Sequence, residues 1–197
     1  MAERLRLYFL VFYVIGLMVL LIKVVPRSLG TRPAGKRLED ARRWLPAVLL
    51  PLDWLIPPAF ILLRVGEIEM TWVGLRLFGF LLSLYAATML LWAPLALGRF
   101  LVAEAVVLHD HALVSSGPYR FLRHPVYSGD LALFLGAALG TLNVSLLVLW
   151  PIAVMGTWLQ ARLEEQLLES KFGESYRRYA RTTGRFLPRL WPSASSL

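Results

Sequence analysis

The chain has 197 residues, of which 57% are hydrophobic and only 17% charged. A soluble domain carries about 25% charged residues, so this balance excludes an ordinary soluble protein and indicates an integral membrane protein. The absence of cysteine excludes disulfides, thiolate metal sites and cysteine nucleophiles. The formal net charge is +8, but Lys and Arg collect on the cytoplasmic loops of membrane proteins, so we expect no nucleic-acid binding.

Five hydrophobic blocks follow in chain order, and each predicts a transmembrane helix. Their lengths approach what about 30 Å of hydrocarbon requires, the last two blocks being slightly short. They show no two-residue alternation, so helices are the expected spans. The blocks lie at residues 7–22, 45–63, 73–97, 126–142 and 144–159. We therefore expect an all-α integral membrane protein with five transmembrane helices.

The basic residues predict the orientation. Seven Lys and Arg lie in residues 23–44 and seven more follow the fifth block, whereas the connection between the second and third blocks is mainly acidic. The positive-inside rule then places the long loop and the C-terminus in the cytoplasm and the N-terminus outside. The Arg-, Ala- and Leu-rich composition favours a prokaryotic inner membrane.

The C-terminal half predicts a helical hairpin followed by a surface helix. Only residues 142–145 connect the fourth and fifth blocks, which forces antiparallel packing. Beyond the fifth block, apolar residues recur at helical spacing opposite a charged face, which indicates a cytoplasmic amphipathic helix with Gly173 as a break. We interpret the chain as one domain with a three-helix region (1–100), a region of loop, hairpin and amphipathic helix (101–190) and a disordered tail (191–197).

A polar, basic loop at residues 111–129 separates two apolar blocks and predicts a ligand site. Pro125 marks the start of the fourth helix, where free N–H groups and a partial positive charge suit a carboxylate or phosphate. Basic and hydroxyl side chains stand beside it: Tyr119, Arg120, Arg123, His124 and Tyr127. The alternative is that these arginines and tyrosines only anchor the loop at the membrane surface.

Two acids at the end of the fifth helix indicate a second half of that site. The helix dipole disfavours Glu164 and Glu165 there, so a partner is expected, either the basic loop or a cationic ligand. A solvated helix face with ordinary ion pairs is the alternative. Because the hairpin brings the two halves together, we expect a site for a zwitterionic ligand.

Three other chemistries receive weaker support. A serine nucleophile lacks the nucleophile-elbow pattern, and Asp130 is a candidate only as an acid inside the fourth block. A metal site lacks paired ligands at helical spacing, so no metal is expected. The residues considered are Ser115, Ser116 and Ser128 as nucleophiles and His109, Asp110, His111 and His124 as ligands.

Two segments in order, LVSSGPYRFLRHPVYSG and RLEEQLLESKFGESYRRYARTTGRFLP, resemble the isoprenylcysteine carboxyl methyltransferase family. The related phospholipid methyltransferases share the RHPxYxG and EExxL elements. The similarity covers roughly residues 104–188. It implies a membrane methyltransferase that binds S-adenosylmethionine at the cytoplasmic end of the last two helices. The expected activity is like that of the isoprenylcysteine carboxyl methyltransferases, with a lipophilic acceptor that enters from the lipid bilayer.

The resemblance also implies which residues contact the cofactor. The matching positions are Glu104, His111, Ala112, Leu113, Val114, Tyr119, His124, Pro125, Val126, Tyr127, Glu164 and Glu165. The family usually has an arginine four residues before the first glutamate, where it contacts the substrate carboxyl group. Here that position is Gln160, and Arg162 is rotated from it by about 200° around the helix. Both are candidate catalytic residues, and the departure puts a carboxylate acceptor in doubt.

Other functions remain open at this point. Phospholipid N-methylation and thiol S-methylation need no substrate carboxylate. Some sterol reductases look similar in their C-terminal halves, which would imply an NADPH-dependent membrane reductase. A non-catalytic binding module predicts that the loop binds no small cofactor.

Overall fold

The computed structural model describes residues 2–30, 35–37, 44–98, 106–108 and 113–189. Six α-helices build this described part, and the fourth and fifth form the expected hairpin. The helices are α1 (Ala2–Gly30), α2 (Trp44–Leu63), α3 (Val73–Leu97), α4 (Pro125–Thr141), α5 (Val144–Phe172) and α6 (Glu174–Thr182). Within these residues, α3 and α5 are long and apolar enough to cross a membrane. The expectation of five spans therefore stays a prediction.

A short antiparallel strand pair departs from the expected purely helical fold. Strand β1 (Gly35–Arg37) pairs with β2 (Val106–Leu108), with Gly35 opposite Leu108. Three residues are too few to produce a periodic signal, and the pair joins two connections that are distant in sequence. The residues expected to form the tail, 191–197, lie outside the described part.

Helix α5 continues well beyond its apolar block. The block ends near residue 159, but the helix runs to Phe172 because Leu163 and Leu167 remain buried on one face of its polar continuation. Gly173 then adopts a φ of 54°, a backbone conformation that favours glycine, and separates α5 from α6. The predicted break at Gly173 is confirmed.

Helices α3 and α4 approach each other through glycines. A Cβ atom placed on Gly79 of α3 would lie 2.5 Å from the backbone nitrogen of Gly140 and 2.6 Å from the carbonyl oxygen of Gly136, both in α4. Small residues at such a crossing allow backbone contact between helices. Next to the crossing, Phe9 of α1 packs fully buried in the apolar core.

One end of the bundle collects three chain segments. The guanidinium of Arg6 in α1 contacts Glu67 in the α2–α3 turn. That turn reaches the α4–α5 connection, since the Ile68 N–H donates to the Leu142 carbonyl at 3.0 Å. There the Asn143 side chain accepts from the Leu146 N–H and caps α5. The start of α4 and the polar half of α5 consequently meet at the opposite end.

Candidate functional site

Glu165 connects the start of α4 to the chain that follows α6. Arg123 donates from Nε to Glu165 Oε1 at 2.8 Å, and Arg185 donates from Nη2 to Oε2 at 2.5 Å. His124 Nε2 lies 3.2 Å from Glu165 Oε1. Two guanidinium groups and an imidazole thus surround one carboxylate whose side chain is only 14% exposed.

Glu164 occupies the next position and faces α4. Its Oε1 accepts hydrogen bonds from the Tyr127 hydroxyl and, at 2.9 Å, from Gln160 Nε2. Its Oε2 lies 3.4 Å from His124 Nδ1. The Glu164 side chain is 27% exposed to solvent, so a ligand can still reach this carboxylate.

His124 lies between the two glutamates. Its ring stacks on Tyr127 with centroids 5.5 Å apart and planes 13° from parallel. Burial lowers the pKa of His124, but hydrogen bonds to Glu164 and Glu165 more than offset this and raise the pKa above its ordinary value. The imidazolium form can donate from both nitrogens, one to each carboxylate.

The chain after α6 runs alongside the start of α4 and fixes it. The backbone N–H of Arg123 donates to the Gly184 carbonyl at 2.7 Å, and that of His124 donates to the Arg185 carbonyl at 3.1 Å. Ser128 Oγ donates to the Phe186 carbonyl at 2.7 Å. This hydroxyl also bonds Tyr85, so the structure gives Ser128 structural partners rather than a histidine base.

Gln160 and Arg162 lie on different faces of α5. Gln160 is buried beside Glu164, and its Oε1 finds no hydrogen-bond partner among the described residues. Arg162 is exposed and lies over the Trp158 ring, with its Cζ 4.8 Å from the ring centroid. Only Gln160 therefore joins the cluster around Glu164, and the catalytic role of either residue stays a prediction.

Other candidate residues lie around this cluster or outside the described part. Tyr119 is buried in the 3₁₀ turn Gly117–Arg120, and its carbonyl accepts from the Tyr179 hydroxyl at 2.7 Å. Pro125 is buried at the first turn of α4, while Leu113, Val114 and Val126 are half-buried. The structure does not describe Glu104, His109, Asp110, His111 or Ala112.

Arg185 and Phe186 belong to the cluster but were missed by the sequence reasoning. A parallel bridge between Leu122 and Gly184 places them beside His124. No local sequence pattern predicts a pairing between two segments that are about 60 residues apart. The available signal was that both residues fall inside the second resembling segment.

The cluster offers groups for both signs of charge. Glu164 and the unpartnered Oε1 of Gln160 suit an ammonium or another cationic centre. Within the described part of the chain, no side chain caps the start of α4, which leaves backbone N–H groups at that end for a carboxylate. The donors and acceptors present therefore fit a small zwitterion that carries an additional positive centre.

Comparison with known proteins adds two findings. Residues 75–175 match the family model for phospholipid methyltransferases, a range that contains all of α3 except its first two residues, the whole of α4, and Arg123 through Glu165. The cobalt-zinc-cadmium resistance protein CzcN of Cupriavidus metallidurans is 39% identical over 84 residues, covering 41% of this chain and 38% of that protein. The similarity thus spans well under two thirds of that relative.

Proposed function

Because the chain belongs to the phospholipid methyltransferase family, we propose that it transfers methyl groups from S-adenosylmethionine to a phospholipid amine. The family match favours this acceptor over the isoprenylcysteine carboxylate that the sequence resemblance emphasised. The reaction takes place where the polar half of α5 meets the start of α4.

The observation that carries the proposal is the environment of Glu164. This carboxylate is oriented by Tyr127, Gln160 and His124, yet it stays partly exposed. It would hold the ammonium of the cofactor, while the N–H groups at the start of α4 would hold the carboxylate. When bound, S-adenosylmethionine supplies an activated methyl group, so the protein has chiefly to orient the reactants and exclude water.

Gln160 supports the choice of an amine acceptor. Its Oε1 is a buried acceptor without a partner among the described residues, and leaving such a group unpaired costs about 1–3 kcal/mol. An amine N–H would satisfy it, whereas a carboxylate acceptor would bring two further acceptor oxygens. The neutral amide therefore suits an amine better than an acid.

Binding of S-adenosylhomocysteine to the detergent-purified protein tests the cofactor. We expect calorimetry to detect this ligand and to detect no binding of NADPH, which separates a methyltransferase from a reductase. Glu164→Gln should weaken binding by roughly tenfold or more, the effect of losing one charge-assisted hydrogen bond. Glu169→Gln is the matched control, because Glu169 lies on the same helix but is exposed.

Radiolabelled methyl transfer then tests the acceptor. Phosphatidylethanolamine, a farnesylcysteine derivative and a small thiol are offered separately, and we expect labelling of phosphatidylethanolamine. Labelling of farnesylcysteine alone would overturn the amine acceptor while leaving the methyltransferase intact. If S-adenosylhomocysteine fails to bind even at high micromolar concentration, the methyltransferase proposal itself is wrong.

A further inference from the structure

A cavity of about 510 Å³ opens between the polar half of α5 and α6. Two glutamates and five arginines line it, the arginines being Arg162, Arg177, Arg181, Arg185 and Arg189. Arg162 and Gln160 point in directions about 200° apart around α5. Glu165 and Arg185 line this cavity and also contact the cluster around Glu164. The part of the cavity at Arg162 lies on the side of α5 that faces away from Gln160 and Glu164.

The charges in the cavity are only partly balanced. Glu165 neutralises Arg185, and Glu174 pairs with Arg177 and Arg181. In the described part of the chain, Arg162 and Arg189 have no carboxylate partner: Arg162 stacks on Trp158, and Arg189 donates to the Arg181 carbonyl. Two guanidinium groups remain available for an anion.

Tyr176 gives an independent indication of a ligand. This residue lines the cavity and is only 3% exposed. Its hydroxyl is buried and has no hydrogen-bond partner among the described residues. A buried hydroxyl is normally satisfied, and a phosphate oxygen of a ligand in the cavity is one acceptor that would complete it.

The surface of α5 next to the cavity is suited to acyl chains. Val148, Ile152 and Met155 are exposed and follow one another at spacings of four and three residues. This spacing keeps them on one face of the helix, and its continuation reaches Arg162. Trp158, beside Arg162, is a residue type enriched where membrane meets water.

We propose that this cavity binds the phosphate group of an anionic phospholipid whose acyl chains lie along the exposed face of α5. Arginine guanidinium groups bind phosphate oxygens through paired, charge-assisted hydrogen bonds, and basic clusters at the membrane surface attract anionic lipids. The lipid is an anchoring ligand rather than the methyl acceptor, because α5 separates it from Gln160 and Glu164. The site does not depend on the proposed activity.

Lipid binding by the full chain in detergent tests the site. Native mass spectrometry would measure the affinity for dioctanoyl phosphatidylglycerol, with dioctanoyl phosphatidylcholine and inorganic phosphate as separate competitors. Arg162→Gln and Arg189→Gln should each weaken phosphatidylglycerol binding by about tenfold. Arg178→Gln is the matched control, since Arg178 is an exposed residue of α6 that does not line the cavity, and it should change affinity by less than about threefold.

The remaining outcomes also decide the question. An equal loss in Arg178→Gln would mean that diffuse surface charge attracts the lipid, and the site would be overturned. If inorganic phosphate displaces phosphatidylglycerol as effectively as the lipid itself does, the cavity binds a free anion and the lipid proposal is overturned. Unchanged binding in both cavity variants, each checked for a monodisperse elution profile, would overturn the proposal as well.

Discussion

At residue scale, the charge balance around Glu165 explains how the C-terminal segment is held. The carboxylate receives Arg123 and Arg185 from two different segments, and both guanidinium groups would lose their counter-charge without it. Removing one member of a buried charge network leaves the others uncompensated. Glu165 therefore acts first as a structural residue, and its neighbour Glu164 keeps the exposure that a ligand needs.

Glu165→Gln should consequently destabilise the protein. Breaking a buried ion pair costs about 3–5 kcal/mol, and we expect the lower end because the Arg185 side chain is 28% exposed. Glu169→Gln removes a surface pair with Arg177 and should cost less than about 1 kcal/mol. Thermal unfolding in detergent measures both, and equal effects would contradict the structural role of Glu165.

His124 should make stability depend on pH. Burial lowers its pKa, but the hydrogen bonds to Glu164 and Glu165 raise it above the ordinary value of 6.5. A raised folded-state pKa means that the stabilisation is fully present below 6.5 and is lost as pH rises through the folded value. The thermal unfolding midpoint, measured between about pH 5 and pH 9, should therefore decrease as the pH rises. His124→Gln should lack this component, and a parallel pH profile in the variant would contradict it.

The sequence predicted this cluster in part. The positions of His124, Tyr127 and Glu164 followed from a short hairpin that joins a helix start to a helix end, and the structure brings these residues together. Arg185 and Phe186 did not follow, because a backbone bridge between segments distant in sequence places them. Local patterns carry no information on such a pairing.

At the scale of the elements, the α3–α4 crossing depends on the absence of side chains. Gly79→Ala would place a Cβ atom 2.5 Å from a backbone nitrogen in α4, so the helices must separate. Overpacking of this kind costs about 1–3 kcal/mol. Gly74 lies in the same helix, and no atom of the described residues lies within 4 Å of a Cβ placed there. Gly74→Ala should therefore raise the free energy of unfolding by no more than about 1 kcal/mol. Denaturation in detergent compares the two, and equal midpoints would show a looser crossing.

Hydrophobic periodicity predicted the ends of some helices better than others. The third block coincides with α3, because apolar residues begin and end there together with the helix. Helix α5 extends beyond the fifth apolar block, because burial of Leu163 and Leu167 stabilises the charged segment that follows as a helix. An apolar block shows only the part of a helix that is apolar on all sides. A helix that continues with one buried face and one charged face is longer than its block.

At the scale of the whole molecule, the α2–α3 and α4–α5 connections lie at one end of the bundle and the start of α4 lies at the other. The α2–α3 turn and the α4–α5 connection meet at one end through Ile68 and Leu142, and the ion pairs around Glu165 lie at the other. The distribution of Lys and Arg predicted that the α2–α3 and α4–α5 connections share one side. Which end faces the cytoplasm stays a prediction from that distribution.

The continuity of α5 has a consequence for the two reactants. Glu164 stands about 30 Å along the helix axis from Val144, a distance equal to the thickness of the hydrocarbon layer. In the proposed reaction, a water-soluble methyl donor would therefore arrive from the aqueous side while the lipid acceptor stayed in its leaflet. Neither reactant would have to leave its own phase, and the energy of extracting a lipid from the bilayer would not enter the barrier. The proposed methylation would then take place at a phase boundary, at a depth set by the length of one helix.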